Sequence, residues 1–151
     1  RLIKEYPDTV VGIKDSSGDW DHTKSMLDAG WGDFRVFVGS ETFLLDNMRN
    51  GGAGCISATA NVNPAAINDL FENWQSNEAN RLQKRLNIVR DIFQAHPMIP
   101  ALKAATGLYR EDSTWFTVRP PLVPLTSAQI TNLSHALKDI DFEMSNINQF
   151  Q

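Results

Sequence analysis

The chain contains a single cysteine, Cys55, in 151 residues, so no internal disulfide can form and nothing points to an oxidising compartment. Long apolar runs are also missing: none approaches the roughly 18 residues of a membrane span. The opening Arg1-Leu2-Ile3-Lys4-Glu5-Tyr6-Pro7 has no signal-peptide hydrophobic region. Positive charge is in the minority, with 14 Lys and Arg against 18 Asp and Glu and a formal net charge of −4, which excludes a nucleic-acid footprint made by bulk charge. Histidines are few, and His22, His96 and His135 are too far apart in sequence for a short metal-ligand spacing, so no metal is expected. There is no long-period repeat and no low-complexity segment. What remains is an ordinary globular composition, 42% hydrophobic. The chain reads as soluble and cytoplasmic. It opens on Arg rather than Met, and a segment upstream is expected.

The first third alternates short apolar β-type runs with helix-type stretches. Strands are expected at 10–13 (Val-Val-Gly-Ile, ending at Lys14), at 34–38 (Phe-Arg-Val-Phe-Val, ending at Gly39) and at 55–58 (Cys-Ile-Ser-Ala). Their apolar character, without polar alternation, marks buried parallel strands. Helices are expected between them, over 19–29 and 42–50, giving a βαβαβ series with right-handed crossovers. Three parallel strands leave two bare edges, so further strands are expected from an upstream part of a longer chain or from a second copy.

Beyond residue 60 the period changes to that of helices. Asn63-Pro64 supplies an N-cap and a first-turn proline, and Ile67, Leu70, Phe71 and Trp74 share one face. Leu82, Leu86, Val89 and Phe93 mark a second amphipathic helix whose basic residues, Arg81 to Arg90, read as its wet side. Pro97 and Pro100 bracket its end, and a short helix over 101–108 is expected to close at Gly107. Thr126-Ser127-Ala128-Gln129 fits a capping box, followed by Ile130, Leu133, Leu137 and Ile140 on one face. A frayed tail is expected over 143–151. By pattern alone the chain is a βαβαβ part followed by a helical cluster.

Lys14 is the residue on which chemistry can be built. It stands at the carboxyl end of an apolar strand and is followed by the turn sequence Asp15-Ser16-Ser17-Gly18-Asp19, the place where α/β barrels keep their reactive groups. At a desolvated strand end the ammonium form is disfavoured, and a neutral amine attacks a ketone to give a Schiff base. By spacing alone the simpler reading is a lysine snorkelling to the surface at a strand end.

Residues 10–19, Val-Val-Gly-Ile-Lys-Asp-Ser-Ser-Gly-Asp, resemble the Schiff-base segment of the dihydrodipicolinate synthase / N-acetylneuraminate lyase family. Two further segments match at the spacing that family requires: Val36-Phe37-Val38-Gly39-Ser40-Glu41, and Gly51-Gly52-Ala53-Gly54-Cys55-Ile56-Ser57-Ala58-Thr59-Ala60-Asn61. Ile99-Pro100-Ala101-Leu102-Lys103 and Arg119-Pro120-Pro121-Leu122 are similar to its helical domain. The resemblance implies an α/β fold, the (β/α)8 TIM barrel, of which this chain carries the last three βα units over 1–77 plus the C-terminal helical domain over 78–151.

The resemblance further implies that Lys14 forms an imine with pyruvate or another 2-oxo acid, the imine acting as electron sink for carbon–carbon bond formation with an aldehyde or for the reverse cleavage. Gly39 and Ile56 match positions that approach the 2-oxo acid through backbone groups. Ser16, Ser40 and Glu41 match positions facing the rest of the substrate in the sugar-acid branch, towards which Asp15-Ser16-Ser17 leans. No cofactor is implied, and a homo-oligomer, dimer or tetramer, is. The family's carboxylate-holding loop, Gly-Thr-Thr or Gly-Ser-Thr, is not in this sequence. Neither Tyr6 nor Tyr109 lies in the context of its tyrosine proton shuttle, so weak activity at most is expected of this segment alone. Two other readings stay open: a non-catalytic barrel relative serving as an interaction scaffold, and a barrel binding phosphorylated substrates at the helix that starts near Asn63.

The remaining signals have simpler explanations. Gly51-Gly52-Ala53-Gly54 precedes a strand and lacks the Gly-Lys-Ser ending of a phosphate loop, so it reads as a tight turn. Cys55 reads as a small buried hydrophobe. Asn132-Leu133-Ser134 lies within a helix and carries no expectation of glycosylation. The scattered Trp20, Trp31, Trp74 and Trp115 read as core or subunit-contact residues.

Overall fold

The computed structural model describes residues 1–144, and the tail expected to fray, 143–151, lies from residue 145 onward outside the described residues. After a single helical turn, α1 (Leu2–Glu5), the chain forms β1 (Gly12–Asp15), α2 (Trp20–Leu27), β2 (Arg35–Val38), a 3-10 turn at Glu41–Phe43 running into α3 (Leu44–Arg49), and β3 (Gly54–Cys55). The strands pair in parallel in the order β1-β2-β3, as the apolar runs and the intervening helices require. On β2 the alternation is clear: Val36 and Val38 are 2% and 1% exposed and face the helices. Both β1 and β3 are edge strands, and Leu2, Val11, Ile13 and Trp31 lie exposed beside β1.

A second 3-10 turn at Ala58–Asn61 leads into α4 (Pro64–Asn73), α5 (Ala79–Gln94), α6 (Met98–Arg110), a 3-10 turn at Ser113–Phe116 and α7 (Ser127–Asp139). The capping box is present as read, with the Thr126 hydroxyl accepting from the Gln129 amide and the Gln129 side chain accepting from the Thr126 amide. Asn63 occupies the N-cap position of α4 without a side-chain cap bond, and Pro64 opens the helix. Phe71, expected on the buried face of α4, is 37% exposed.

The first strand, expected at 10–13, pairs over Gly12–Asp15, and both boundaries of α6 move for a physical reason. α6 starts at Met98, not at residue 101, with Pro100 inside its first turn, where a missing N–H costs nothing because no intrahelical acceptor exists there. The helix also passes through Gly107 to Arg110 and ends on Glu111 in the left-handed region, φ 54°. Gly107 is not a stop but a packing point: a Cβ there would lie 2.6 Å from the Phe116 ring.

Two apolar clusters result. Leu44, Leu45, Ile67, Leu70, Ala79 and Leu86 pack beneath the sheet, and Val62, Val89, Phe93, Ala101, Leu133 and Leu137 belong to the other. α5 spans both, because Leu86 is followed by Val89 and Phe93 one and two turns further on. Its residues Leu86 and Phe93 are 1% and 0% exposed, and each such buried side chain contributes about 1.5–3 kcal/mol. The boundary read at residue 77 therefore falls just before a helix that ties the two halves together.

Candidate active site

Lys14 is the third residue of β1, in register with Phe37 of β2, which is in turn in register with Gly54 of β3. Laterally paired residues of a pleated sheet project to one face, so Lys14 and Phe37 share a face, on which Phe37 borders a pocket with Ile67 and Phe71 of α4. Asp15 and Val38 project to the opposite face, where Asp15 meets Thr23 of α2. Beyond the last paired residues, the Gly39 amide donates to the Asp15 carbonyl at 2.6 Å and the Ile56 amide to the Val38 carbonyl at 2.9 Å. The expected residues Lys14, Ser16, Gly39 and Ile56 therefore gather at the carboxyl edge of three neighbouring strands. Because the amides of Gly39 and Ile56 are used in the ladder, each has its carbonyl oxygen to offer a ligand.

Gly39 is required by the approach of the β1 turn: a Cβ on it would lie 2.7 Å from the Asp15 carbonyl oxygen, 2.7 Å from the Ser16 hydroxyl and 2.9 Å from the Ser16 Cα. Ser40 caps the following 3-10 turn, its hydroxyl accepting from the Thr42 amide. Lys14 is exposed within this chain, so the low-dielectric surroundings expected for its amine are not supplied by these residues. Ile56, too, is 49% exposed.

Behind Lys14, Asp15 fastens the strand to α2. Its carboxylate, 7% exposed, accepts from the Thr23 hydroxyl at 2.5 Å, from the Ser17 amide at 2.9 Å and hydroxyl at 3.0 Å, and faces His22 Nδ1 at 3.2 Å. Burial alone would raise its pKa, but the bonds from Thr23, Ser17 and His22 outweigh that and lower it from 3.8 to about 2.

Glu41 differs from expectation. Its side chain is 1% exposed and faces inward, with its two oxygens taking the hydroxyls of Ser57 and Thr59, and Oε2 also meeting Arg90 Nη1 at 3.3 Å. As folded here it offers no free carboxylate to a substrate. Nothing in the sequence marks Ser57, Thr59, Arg90 and Gln83 as one group. The available signal was a second stripe on α5, Gln83, Asn87 and Arg90 at offsets 0, 4 and 7, beside the apolar one. Arg90, 15% exposed in its side chain, is an exception to the wet face assigned to this helix.

Cys55 is half-buried on β3, its thiol pushed up to about 11 by burial, with the Glu41 charge adding to the shift. Among the described residues, no group of three or more His, Cys, Asp or Glu side chains is placed to hold a metal ion. No helix among them is long and apolar enough to cross a membrane.

A lysine-bearing strand end in a parallel sheet backed by helices defines an α/β protein. Comparison with known proteins gives the particular lineage: the profile of the dihydrodipicolinate synthetase family matches residues 1–140, and the chain belongs to that family. It is 32% identical over 140 residues to a DapA-like lyase of Chloroflexus aurantiacus, covering 92% of this chain and 46% of that one. It is 30% identical over 144 residues to the 4-hydroxy-tetrahydrodipicolinate synthase of Bacillus subtilis, covering 93% and 48%.

Among solved structures, it superposes with a TM-score of 0.79 and 25% identity on YagE of E. coli K12, a prophage protein of the dihydrodipicolinic acid synthase family in complex with pyruvate, covering 94% of this chain and 51% of that one. The dihydrodipicolinate synthase of Agrobacterium tumefaciens matches with a TM-score of 0.77 and 28% identity, covering 93% and 46%. The chain thus spans about half the length of these relatives, and its three-stranded sheet and helices are part of their TIM barrel fold.

Proposed function

We propose that this chain carries the Schiff-base lysine of a class I aldolase or lyase acting on pyruvate or a related 2-oxo acid. The observation that supports this best is the placement of Lys14 at the carboxyl edge of the sheet, beside Gly39 and Ile56, within a sequence belonging to a family one of whose structures holds pyruvate. The Lys14 amine attacks the ketone carbon, water leaves, and the resulting iminium makes the adjacent methyl acidic. Loss of that proton gives an enamine, which adds to an aldehyde; run in reverse, the same intermediate is released by carbon–carbon cleavage. No organic cofactor or metal is called for, because the iminium is the electron sink.

The carbonyls of Gly39 and Ile56 face the 2-oxo acid in this reading, and Ser16 and Ser40 face the remainder of the substrate. Asp15-Ser16-Ser17 favours a sugar-acid or hydroxy-oxoglutarate partner. Since the Asp15 and Ser17 side chains bond each other, Ser16 is the residue of the three with which specificity rests. The protein acts in the cytoplasm as a homo-oligomer, and these 151 residues by themselves turn over weakly, because the family's carboxylate-holding loop and proton-shuttling tyrosine are not among them.

Borohydride reduction in the presence of pyruvate, followed by peptide mass analysis, tests the reading. The natural full-length protein is expected to carry a reduced pyruvyl adduct on Lys14, lost in Lys14→Gln. Reduction without any adduct on that peptide overturns the assignment and returns the chain to a non-catalytic scaffold role.

A further inference from the structure

The polar stripe of α5 grips the segment that follows β2. Gln83 Nε2 donates to the Glu41 carbonyl at 2.9 Å, and the Leu45 amide donates to Gln83 Oε1 at 2.9 Å, so one glutamine side chain holds the start of the 3-10 turn and the first turn of α3. Gln83 is itself oriented by Asn87 Oδ1 at 2.7 Å. Two turns along the helix, Arg90 Nη1 meets Glu41 Oε2 at 3.3 Å and the Ser57 hydroxyl at 3.4 Å, while Arg90 Nε is aligned by Gln94 Oε1 at 2.6 Å. Ser57 directly follows Ile56 and Glu41 lies two residues after Gly39. The clasp therefore sits immediately behind both backbone groups that meet the 2-oxo acid in the preceding reading.

A buried carboxylate and a partly buried guanidinium do not favour the fold over an apolar pair of the same size, since desolvation offsets their attraction. What such a pair provides is geometry: a fixed charge pair with two hydroxyls leaves the connected loops one arrangement.

We propose that Arg90 and Glu41 are positioning residues, by which a helix beyond the barrel sets the strand-end carbonyls of Gly39 and Ile56 for the imine on Lys14. This rests on the aldolase reading above. Glu41 on this view touches no substrate and acts through Ser57 and Thr59, so its identity bears on how tightly the 2-oxo acid is held and not on which aldehyde is chosen.

The test uses the natural full-length protein in four forms: wild type, Arg90→Met, Arg90→Lys and the double variant Arg90→Met with Glu41→Gln. Arg90→Met alone leaves a buried charge without its partner and is expected to lower the melting temperature. The double variant removes both charges and is expected to restore it. If the pair positions the site, the restored protein still shows a pyruvate KM raised by about tenfold or more, with a smaller change in kcat and slower borohydride trapping on Lys14. Arg90→Lys then recovers part of the affinity.

A double variant that regains wild-type KM and trapping rate along with its stability overturns the positioning role and leaves a structural one. Wild-type protein that forms no Lys14 adduct overturns the aldolase reading, and this role with it.

Discussion

Gly39 and Ser16 lie so close that a β-carbon on the glycine would come within 2.7 Å of the serine hydroxyl and 2.9 Å of its Cα. The contact joins the turn after β1 to the end of β2, the two segments that flank Lys14, so the smallest possible side-chain change at residue 39 reports on the integrity of the site.

Gly39→Ala is accordingly expected to destabilise the chain by about 1–3 kcal/mol, the usual cost of overpacking, and to slow pyruvate trapping on Lys14. Removing the serine hydroxyl as well does not rescue it, because the Asp15 carbonyl oxygen also stands 2.7 Å from the added carbon. Urea unfolding of Gly39→Ala and of Gly39→Ala with Ser16→Ala checks this; full recovery in the double variant would show that the serine alone sets the limit.

Asp15 makes a second prediction, in acid. Its pKa is lowered from 3.8 to about 2, so its ionised form stabilises the fold at every pH above about 4, and that contribution is lost as pH falls from about 4 towards about 2. At 1.36 kcal/mol per pKa unit the contribution is about 2 kcal/mol. Asp15→Asn should therefore be less stable than wild type by an amount of this order at pH 7, with the gap closing in acid. Unfolding curves for the two proteins at a series of pH values measure it, and a gap that stays constant down to about pH 2 would contradict the role of the carboxylate.

Cys55 provides a third test. With its thiol pushed up to about 11 from a usual 9.0, its thiolate fraction at pH 8 is about a hundredfold smaller than that of an unperturbed thiol, and alkylation slows in proportion. Iodoacetamide labelling followed by mass spectrometry gives the rate; labelling as fast as a small free thiol would show that β3 opens readily. Glu41→Gln, which removes the adjacent negative charge, should speed the reaction without restoring it fully, since burial is the larger cause.

Much of this was legible in the residues themselves. The lysine at a strand end, the Thr126 capping box and the apolar stripe of α5 all express short-range patterns that a strand or helix must show. β3 was read too long, at 55–58, because Ile56, Ser57 and Ala58 look like strand residues. In the fold Ser57 stands at the start of a 3-10 turn with its hydroxyl on Glu41, and regular pairing ends at Cys55. Gly107 was read as a helix stop because glycine readily adopts the left-handed conformation. The fold instead uses it for its lack of a side chain, against Phe116.

Sequence alone determined the order of the elements, the parallel character of the strands and the position of Lys14 at the end of one of them, because these follow from the periods of 2 and 3.6 residues and from turn chemistry within a few positions. Only the tertiary structure decided that Glu41 turns inward to Ser57, Thr59 and Arg90, and that Asp15 is spent on α2. Periodicity tells which face of an element is apolar, but not which distant polar group a side chain will meet. For Glu41 and Arg90 that meeting spans 49 residues of chain and exists only once α5 has packed behind the sheet.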